Sequence, residues 1–378
     1  MDESFKLDKR KHDRHYAQIE KQAFKNTRPV EKPRIIILGG QPGSGKSKVL
    51  TDAVKDFPDG NVVVINGDDL RRYHPRRKEI WQLDDKRFAE RTDPDTRVWT
   101  KRLFEKAIET RRNIIFESTM REAGPISETM QRLKDQGYHV TARVVATHER
   151  MSKTGIYCRY EDQKARKGYG RFTPPESHDA GYVGMPKTVE HIEANMLAHT
   201  VEVYNRSGGP PLYQNHLVNN RWQKQPGAAQ AIQTERQRPP SLTEIEQFEA
   251  DWQRIHKLMK DRNAPKKDIE QAKKLHQTLK LGIKEQLPER DELARRRAGK
   301  LTAKPEITEI RIAEPTGNDR RYSQKSGAED LIMLRKRVVS GTCKLPEDQR
   351  QALDKWIDAK KKDKPPVPKK EKDKPRGR

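Results

Sequence analysis

The chain has 378 residues, with 80 Lys+Arg against 56 Asp+Glu, a net charge of +24 and a mean hydropathy of -1.12. Hydrophobic residues at 32% against 36% charged leave too little apolar surface to offset chain entropy over the full length, which excludes one compact body of this size. No apolar run approaches the ~20 residues of a bilayer span, and the positive field attracts polyanions such as nucleotides, nucleic acid or acidic membrane surfaces.

Cys158 and Cys343, far apart in unlike contexts, supply neither a disulfide framework nor a metal cluster. The opening Met1-Asp2-Glu3-Ser4 lacks the basic-then-apolar layout of a secretory signal. A cytoplasmic location is the expectation.

Residues 1–32 read as an N-terminal helical segment, amphipathic around Tyr16, Ile19 and Phe24, that packs on the adjoining domain. From residue 33 short β-branched runs appear: Ile35 to Leu38, Val62 to Ile65, Ile114 to Phe116 and Val140 to Val145. Strands buried on both faces have this composition. Between them Lys46 to Val54, Val98 to Ile108, Ser127 to Gln136 and Lys187 to Leu197 carry helical spacing, and Thr200 to Asn205 with Leu212 to Leu217 form a hairpin pattern. The alternation predicts an α/β domain over 33–220, a mostly parallel sheet flanked by helices, with ligands at the carboxyl ends of its strands.

Residues 221–240, rich in Gln, Pro and Ala, read as a linker. A helical extension follows over 241–300, broken at Ala264-Pro265, then a weakly structured region over 301–361 with a short helix from Glu347 to Lys361. The Lys/Pro-rich end, 362–378, reads as a disordered basic tail suited to nonspecific nucleic-acid contact.

Gly40-Gln41-Pro42-Gly43-Ser44-Gly45-Lys46-Ser47 matches G-x-x-x-x-G-K-[ST] directly after a strand and before a helix. Such a loop wraps phosphate with backbone N–H groups, Lys46 reaches the β/γ-phosphates, and Ser47 holds Mg²⁺. The cofactors expected are therefore ATP or GTP with Mg²⁺. The second strand runs into Asn66-Gly67-Asp68-Asp69, where a carboxylate beside the loop accepts a proton from an attacking hydroxyl; Asp68 is assigned that role, against the blander reading that Asp68 or Asp69 caps a helix. After the third strand, Glu117 is a candidate to orient Mg²⁺ through water, with Thr119 and Arg121 toward the acceptor. Arg150, Arg159, Arg166 and Arg171 are all candidates to offset charge on the transferring phosphoryl group, and spacing does not choose among them.

GQPGSGKS, GDDLRRYHP, FESTMRE and RYEDQKARKGYGRFTPPESHD, in that order, resemble the zeta-toxin family of P-loop kinases over roughly residues 12–218. The resemblance implies that Lys46 and Ser47 bind triphosphate and Mg²⁺, and that Asp68 activates a sugar hydroxyl. It further implies that Arg71, Glu117, Thr119 and Arg121 form the acceptor pocket and that Arg159 and Arg171 stabilise the transferring phosphate. The implied reaction moves the γ-phosphate to the 3′-hydroxyl of UDP-N-acetylglucosamine, and the implied partner is a small helical antitoxin. One departure is Lys101, where family members tend to place a glutamate, with Glu105 one turn later. A kinase of another ribose-bearing metabolite, such as a dinucleotide, is the alternative enzyme; a nucleotide-switched nucleic-acid-binding protein is the alternative of another class.

Overall fold

The β-branched runs are strands in the computed structural model, which describes residues 4–286, 309–313 and 319–362. They are β1 (Arg34–Gly39), β2 (Val63–Ile65), β3 (Ile114–Glu117) and β4 (His139–Ala146). The expected hairpin supplies β5 (Thr200–Asn205) and β6 (Tyr213–Val218), and a short β7 (Arg221–Trp222) follows. The sheet runs β2-β3-β1-β4-β5-β6-β7. Its first five members are parallel, β6 runs antiparallel to β5, and the short β7 runs antiparallel to β6. In the central strand alternate residues serve opposite faces. Ile35 and Ile37 join one core with Trp99, Leu103 and Val189; Ile36 packs with Ala53, Phe57 and Ile115, and Leu38 with Val49 and Val145. Burial on both sides explains why the sequence shows continuous apolar runs here and not alternation.

The helices of this part are α1 (Lys9–Phe24), α2 (Lys46–Lys55), α3 (Gly67–Leu70), α4 (Arg77–Asp84), α5 (Phe88–Glu109) and α6 (Ala123–Asp135), then α7 (Glu149–Lys167) and α8 (Pro175–Ala194). α5 begins ten residues before the apolar spacing at Val98; after Phe88 its first turns bury Thr92, Asp95 and Thr96, which carry no apolar period. α1 packs on it: Tyr16 and Ile19 enter the main core, and Trp99 Nε1 donates to the His12 carbonyl at 3.1 Å.

Residues 221–240 are not a free linker. After β7 they form α9 (Ala228–Gln237), whose Ala228 and Ile232, one turn apart, are buried in the main core. Polar neighbours hide this two-residue stripe in composition. α10 (Leu242–Asp261) starts at a capping box between Ser241 and Glu244, and α11 (Lys266–Gln286) follows. One compact unit accordingly spans residues 1–286. α10 is joined to α7 by Trp252, whose Nε1 donates to Thr154 Oγ1 at 3.0 Å in a buried setting, and by Arg262, whose fork donates to both Glu161 oxygens at 2.7 and 2.8 Å.

The second unit, 287–378, contains a hairpin of β8 (Glu309–Ala313) and β9 (Asp319–Ser323) with helices α12 (Ala328–Val339) and α13 (Glu347–Lys362). Ile310, Ile312, Tyr322, Leu331, Leu334 and Trp356 form its own core. The hairpin lies where only weak patterning was expected, since each arm offers at most two inward residues among arginines. The basic tail expected over 362–378 lies, beyond Lys362, outside the described residues. Among the described residues no helix is long and apolar enough to cross a membrane.

Trp252 is fully buried. Trp252→Ala should lower the stability of residues 1–286 by about 3–5 kcal/mol, the usual loss for a buried Trp truncated to Ala. Denaturant unfolding measures it; a loss under about 1 kcal/mol would show that α10 is not part of the cooperative unit.

Candidate active site

The phosphate loop leaves β1 and enters α2 through three glycines of positive φ, at each of which a Cβ would meet a neighbour closer than 3 Å. At Gly43 (φ 77) a Cβ would sit 2.1 Å from the Ser152 carbonyl oxygen, and at Gly45 (φ 93) it would sit 2.8 Å from Arg206 Cγ. Gly45 is the N-cap of α2 and provides no side chain to its first N–H groups, which leaves them as donors for an anion. Lys46 Nζ is nearly buried, donates to the carbonyls of Gly40 (2.7 Å) and Gln41 (3.2 Å), and lies 3.7 Å from Glu117 Oε1.

Burial pushes the Lys46 ammonium below its ordinary pKa, against the pull of Glu117. Burial likewise raises the Glu117 carboxyl, with Lys46 opposing and Asp68 adding to the shift. Both shifts favour the neutral forms, so at 3.7 Å desolvation outweighs the attraction. Glu117 Oε2 also accepts from Asn66 Nδ2 at 2.7 Å.

Asn66, not either aspartate, caps α3: its Oδ1 accepts from Asp68 N at 2.9 Å. The Asp68 side chain is thereby released from capping. Its Oδ1 accepts from Arg71 Nε at 3.1 Å, and its Oδ2 pairs with Arg171 Nη1. Protein surrounds the carboxylate on most sides, yet it is 42% exposed because it opens into a cavity. Burial pushes its pKa up, but Arg171, then Arg71 and Arg159, outweigh this and hold it down at about 2.

One cavity of about 830 Å³ takes in the loop from Pro42 to Ser47 together with Asp68, Glu117, Thr119, Arg121, Arg159 and Arg171. That volume suits a nucleotide and an acceptor side by side. Gly40 and Gln41 stand behind the loop and do not line it. Of the four arginines that spacing left open, Arg159 and Arg171 face the cavity. Arg150 is buried beside its helix cap, 3.2 Å from His148 Nε2, and Arg166 is exposed and donates to the Asp162 carbonyl.

Arg159 donates to Thr173 Oγ1 at 2.7 Å, while its Nε is buried without a hydrogen-bond partner. Burial, reinforced by the neighbouring Arg171, lowers its pKa to about 10, so it keeps its charge at neutral pH. An orphaned guanidinium donor, two like charges and an open helix start form a donor set for phosphate oxygens. Ser47 and Glu117 are oxygen donors of the kind Mg²⁺ takes, alongside phosphate and water.

Arg71 differs from the role the resemblance implies. It borders the cavity, but beyond Asp68 its guanidinium is committed to α5: Nη1 donates to Ala89 O, Thr92 Oγ1 and Thr96 Oγ1, and Nη2 to Asp93 Oδ1. It therefore orients Asp68. Glu105 and Lys101 both line the cavity, and Glu105 is bound at both oxygens by Arg132, at 2.8 and 2.9 Å.

Sequence reasoning missed three residues. Asn66 was readable as the cap residue one step before the expected one. Arg206, which lines the cavity and donates to the Gly43 carbonyl at 2.6 Å, sits just past β5, where the strand-end rule points. Asp85 carried no local signal. It is buried and accepts from Tyr160 OH and Gly170 N, both at 3.0 Å, and from Lys164 at 2.8 Å, and so anchors the turn that delivers Arg171.

The sheet order, the phosphate loop and the carboxylate–arginine cavity define a P-loop kinase fold. The zeta toxin family model matches residues 17–217, and the chain belongs to that family. It is 31% identical to toxin zeta of Enterococcus hirae over 180 residues, 47% of this chain and 63% of that protein. It is 30% identical to toxin PezT of Streptococcus pneumoniae serotype 4 over 177 residues, 47% of this chain and 70% of that protein. The chain thus spans less than two thirds of the zeta toxin it matches. A solved structure from the PezAT chromosomal toxin–antitoxin system of Streptococcus pneumoniae superposes with a TM-score of 0.59 at 23% identity, over 68% of this chain and 99% of that one, a likeness of fold.

Arg171 is the chief cause holding Asp68 down, so Arg171→Ala should raise the Asp68 pKa. The acid limb of kcat/KM, which reports ionisation of the free enzyme, should move to higher pH in the variant, while in the native protein Asp68 stays ionised down to about 2. A limb that does not move would show that Arg171 does not set this carboxylate.

Proposed function

We propose that this chain is a kinase that transfers the γ-phosphoryl group of ATP or GTP to a hydroxyl of a nucleotide sugar, the 3′-hydroxyl of UDP-N-acetylglucosamine, as the toxin of a toxin–antitoxin system. The observation that carries the reading is the shared cavity, in which an ionised Asp68, freed from capping, opens toward the loop that holds Lys46.

In this reading the loop N–H groups and Lys46 hold the triphosphate. Ser47 and Glu117 would hold Mg²⁺, which when bound neutralises charge on the phosphate oxygens. Asp68 takes the proton of the acceptor hydroxyl as the new O–P bond forms and the bond to the leaving nucleoside diphosphate breaks. Arg71 keeps the carboxylate aimed. Arg171 has two claimants, Asp68 and the phosphoryl oxygens. Its engagement with phosphate withdraws the cation that most depresses Asp68, so the carboxylate becomes a stronger base where the proton must leave. Arg159 brings its unpartnered Nε to the same charge.

Family membership supports a small helical antitoxin as partner, and Thr119 and Arg121 on the cavity wall suit the acceptor. A second acceptor, another ribose-bearing metabolite such as a dinucleotide, is favoured by the acceptor-side wall. With Glu105 tied to Arg132, that wall presents Lys101 and Arg121, an environment for additional phosphate.

The purified chain with Mg-ATP and a panel of acceptors tests the reading. Phosphorylated UDP-N-acetylglucosamine should form, Asp68→Asn should cut kcat by about 10²–10⁴ with nucleotide binding retained, and Lys46→Ala should weaken nucleotide binding. Transfer to a dinucleotide alone selects the second acceptor; nucleotide binding without transfer to any acceptor removes the kinase reading.

A further inference from the structure

Behind the phosphate loop lies a buried guanidinium contributed by α9, beyond the residues the family model matches. Arg236 is 7% exposed. Its Nη1 donates to the Tyr182 carbonyl at 2.7 Å, its Nη2 donates to Gln41 Oε1 at 3.1 Å, and its Cζ lies 3.9 Å from the centre of the Tyr182 ring. Gln41 is fully buried, and the rest of its amide is also committed: Nε2 donates to the Thr147 carbonyl at 2.8 Å and to Ser152 Oγ at 3.3 Å. Thr147 in turn donates to the Ser44 carbonyl at 2.8 Å. The second residue of the loop is thus clamped on three sides, and its carbonyl is one of the two that hold Lys46.

The clamp is electrostatically one-sided. Among the described residues no carboxylate pairs with Arg236, and burial, with only Tyr182 opposing, lowers its pKa to about 10, so it remains a cation. A buried cation without a counter-charge is costly, and the side chain it donates to belongs to the phosphate loop.

We infer that Arg236 is a positioning residue for the phosphate loop, acting through Gln41, so that α9 is a working part of the nucleotide site and not an appendage to it. This rests on the proposed nucleotide binding but not on any acceptor. Removing the guanidinium leaves Gln41 Oε1 unpaired and frees the loop segment that carries the Gly40 and Gln41 carbonyls.

The test is Mg-ATP affinity by calorimetry on the full chain, with thermal melting alongside. Arg236→Met should raise Kd about tenfold, the worth of one hydrogen bond to a charged group. Arg236→Lys, which keeps the charge but not the two-armed fork, should fall between Met and the native residue. In a Gln41→Ala background, Arg236→Met should have no further effect on Kd. A native protein that binds no Mg-ATP overturns this inference together with the nucleotide reading. A native protein that binds, with variants that only melt earlier and bind as tightly, overturns this inference alone, as does an Arg236→Met effect undiminished in the Gln41→Ala background. Should Arg236→Met not fold, the Lys variant and its Kd decide.

Discussion

The site is organised by the contest over Asp68. Two guanidiniums grip one carboxylate, a third stands close enough to lower its pKa, and a buried ammonium faces a second carboxylate whose pKa burial raises against that attraction. Without Arg71 and Arg171, burial would raise Asp68 toward its neutral form. With them it is charged but occupied. In the proposed transfer such a carboxylate gains basicity only when a competing anion draws a guanidinium away, and Arg171, which has no ties to α5 like those of Arg71, is the one placed to leave.

That division of labour follows from where each arginine is rooted. Arg71 is fixed by a backbone carbonyl, two threonines and an aspartate of α5. Arg171 hangs from a turn whose backbone is held by Asp85 through Gly170 N and by Gln163 through Arg171 N. Trp81, stacked on Tyr169 at 3.6 Å, supports the same turn from outside. One arm is tied to α5 as well as to the carboxylate, and the other, anchored through its backbone, reaches the same carboxylate from the turn.

Legibility in the sequence tracked the range of the forces involved. The phosphate loop was readable because its constraints are local: positive φ and backbone proximity demand glycine at fixed spacing. The strands were readable because burial on both faces writes itself as unbroken Ile and Val. Spacing did not select Arg159 and Arg171 from four arginines, and only the resemblance named them, since the choice depends on how far α7 is rotated and where the turn after it is pinned. Arg150 and Arg166 sit on the same helix in similar company and point elsewhere. The resemblance assigned Arg71 to the acceptor pocket, which it borders; its ties to Thr92, Asp93 and Thr96 were not legible, because these lie twenty-odd residues away on a helix whose first turns gave no apolar period.

The end of the compact unit escaped the sequence for a related cause. A linker and a docked helix differ in composition only by a few apolar residues, and α9 docks with two buried ones, Ala228 and Ile232, with Glu193 holding its first N–H groups and Arg236 its far end. A helix that is secured by a buried cation against a loop amide is invisible to hydrophobic pattern, because the force is a directed hydrogen bond rather than surface burial. It also ties the phosphate loop to residues that similarity over 17–217 does not include. Such a link lets a loop with common residues acquire a stiffness of its own, set from outside the segment that names the family.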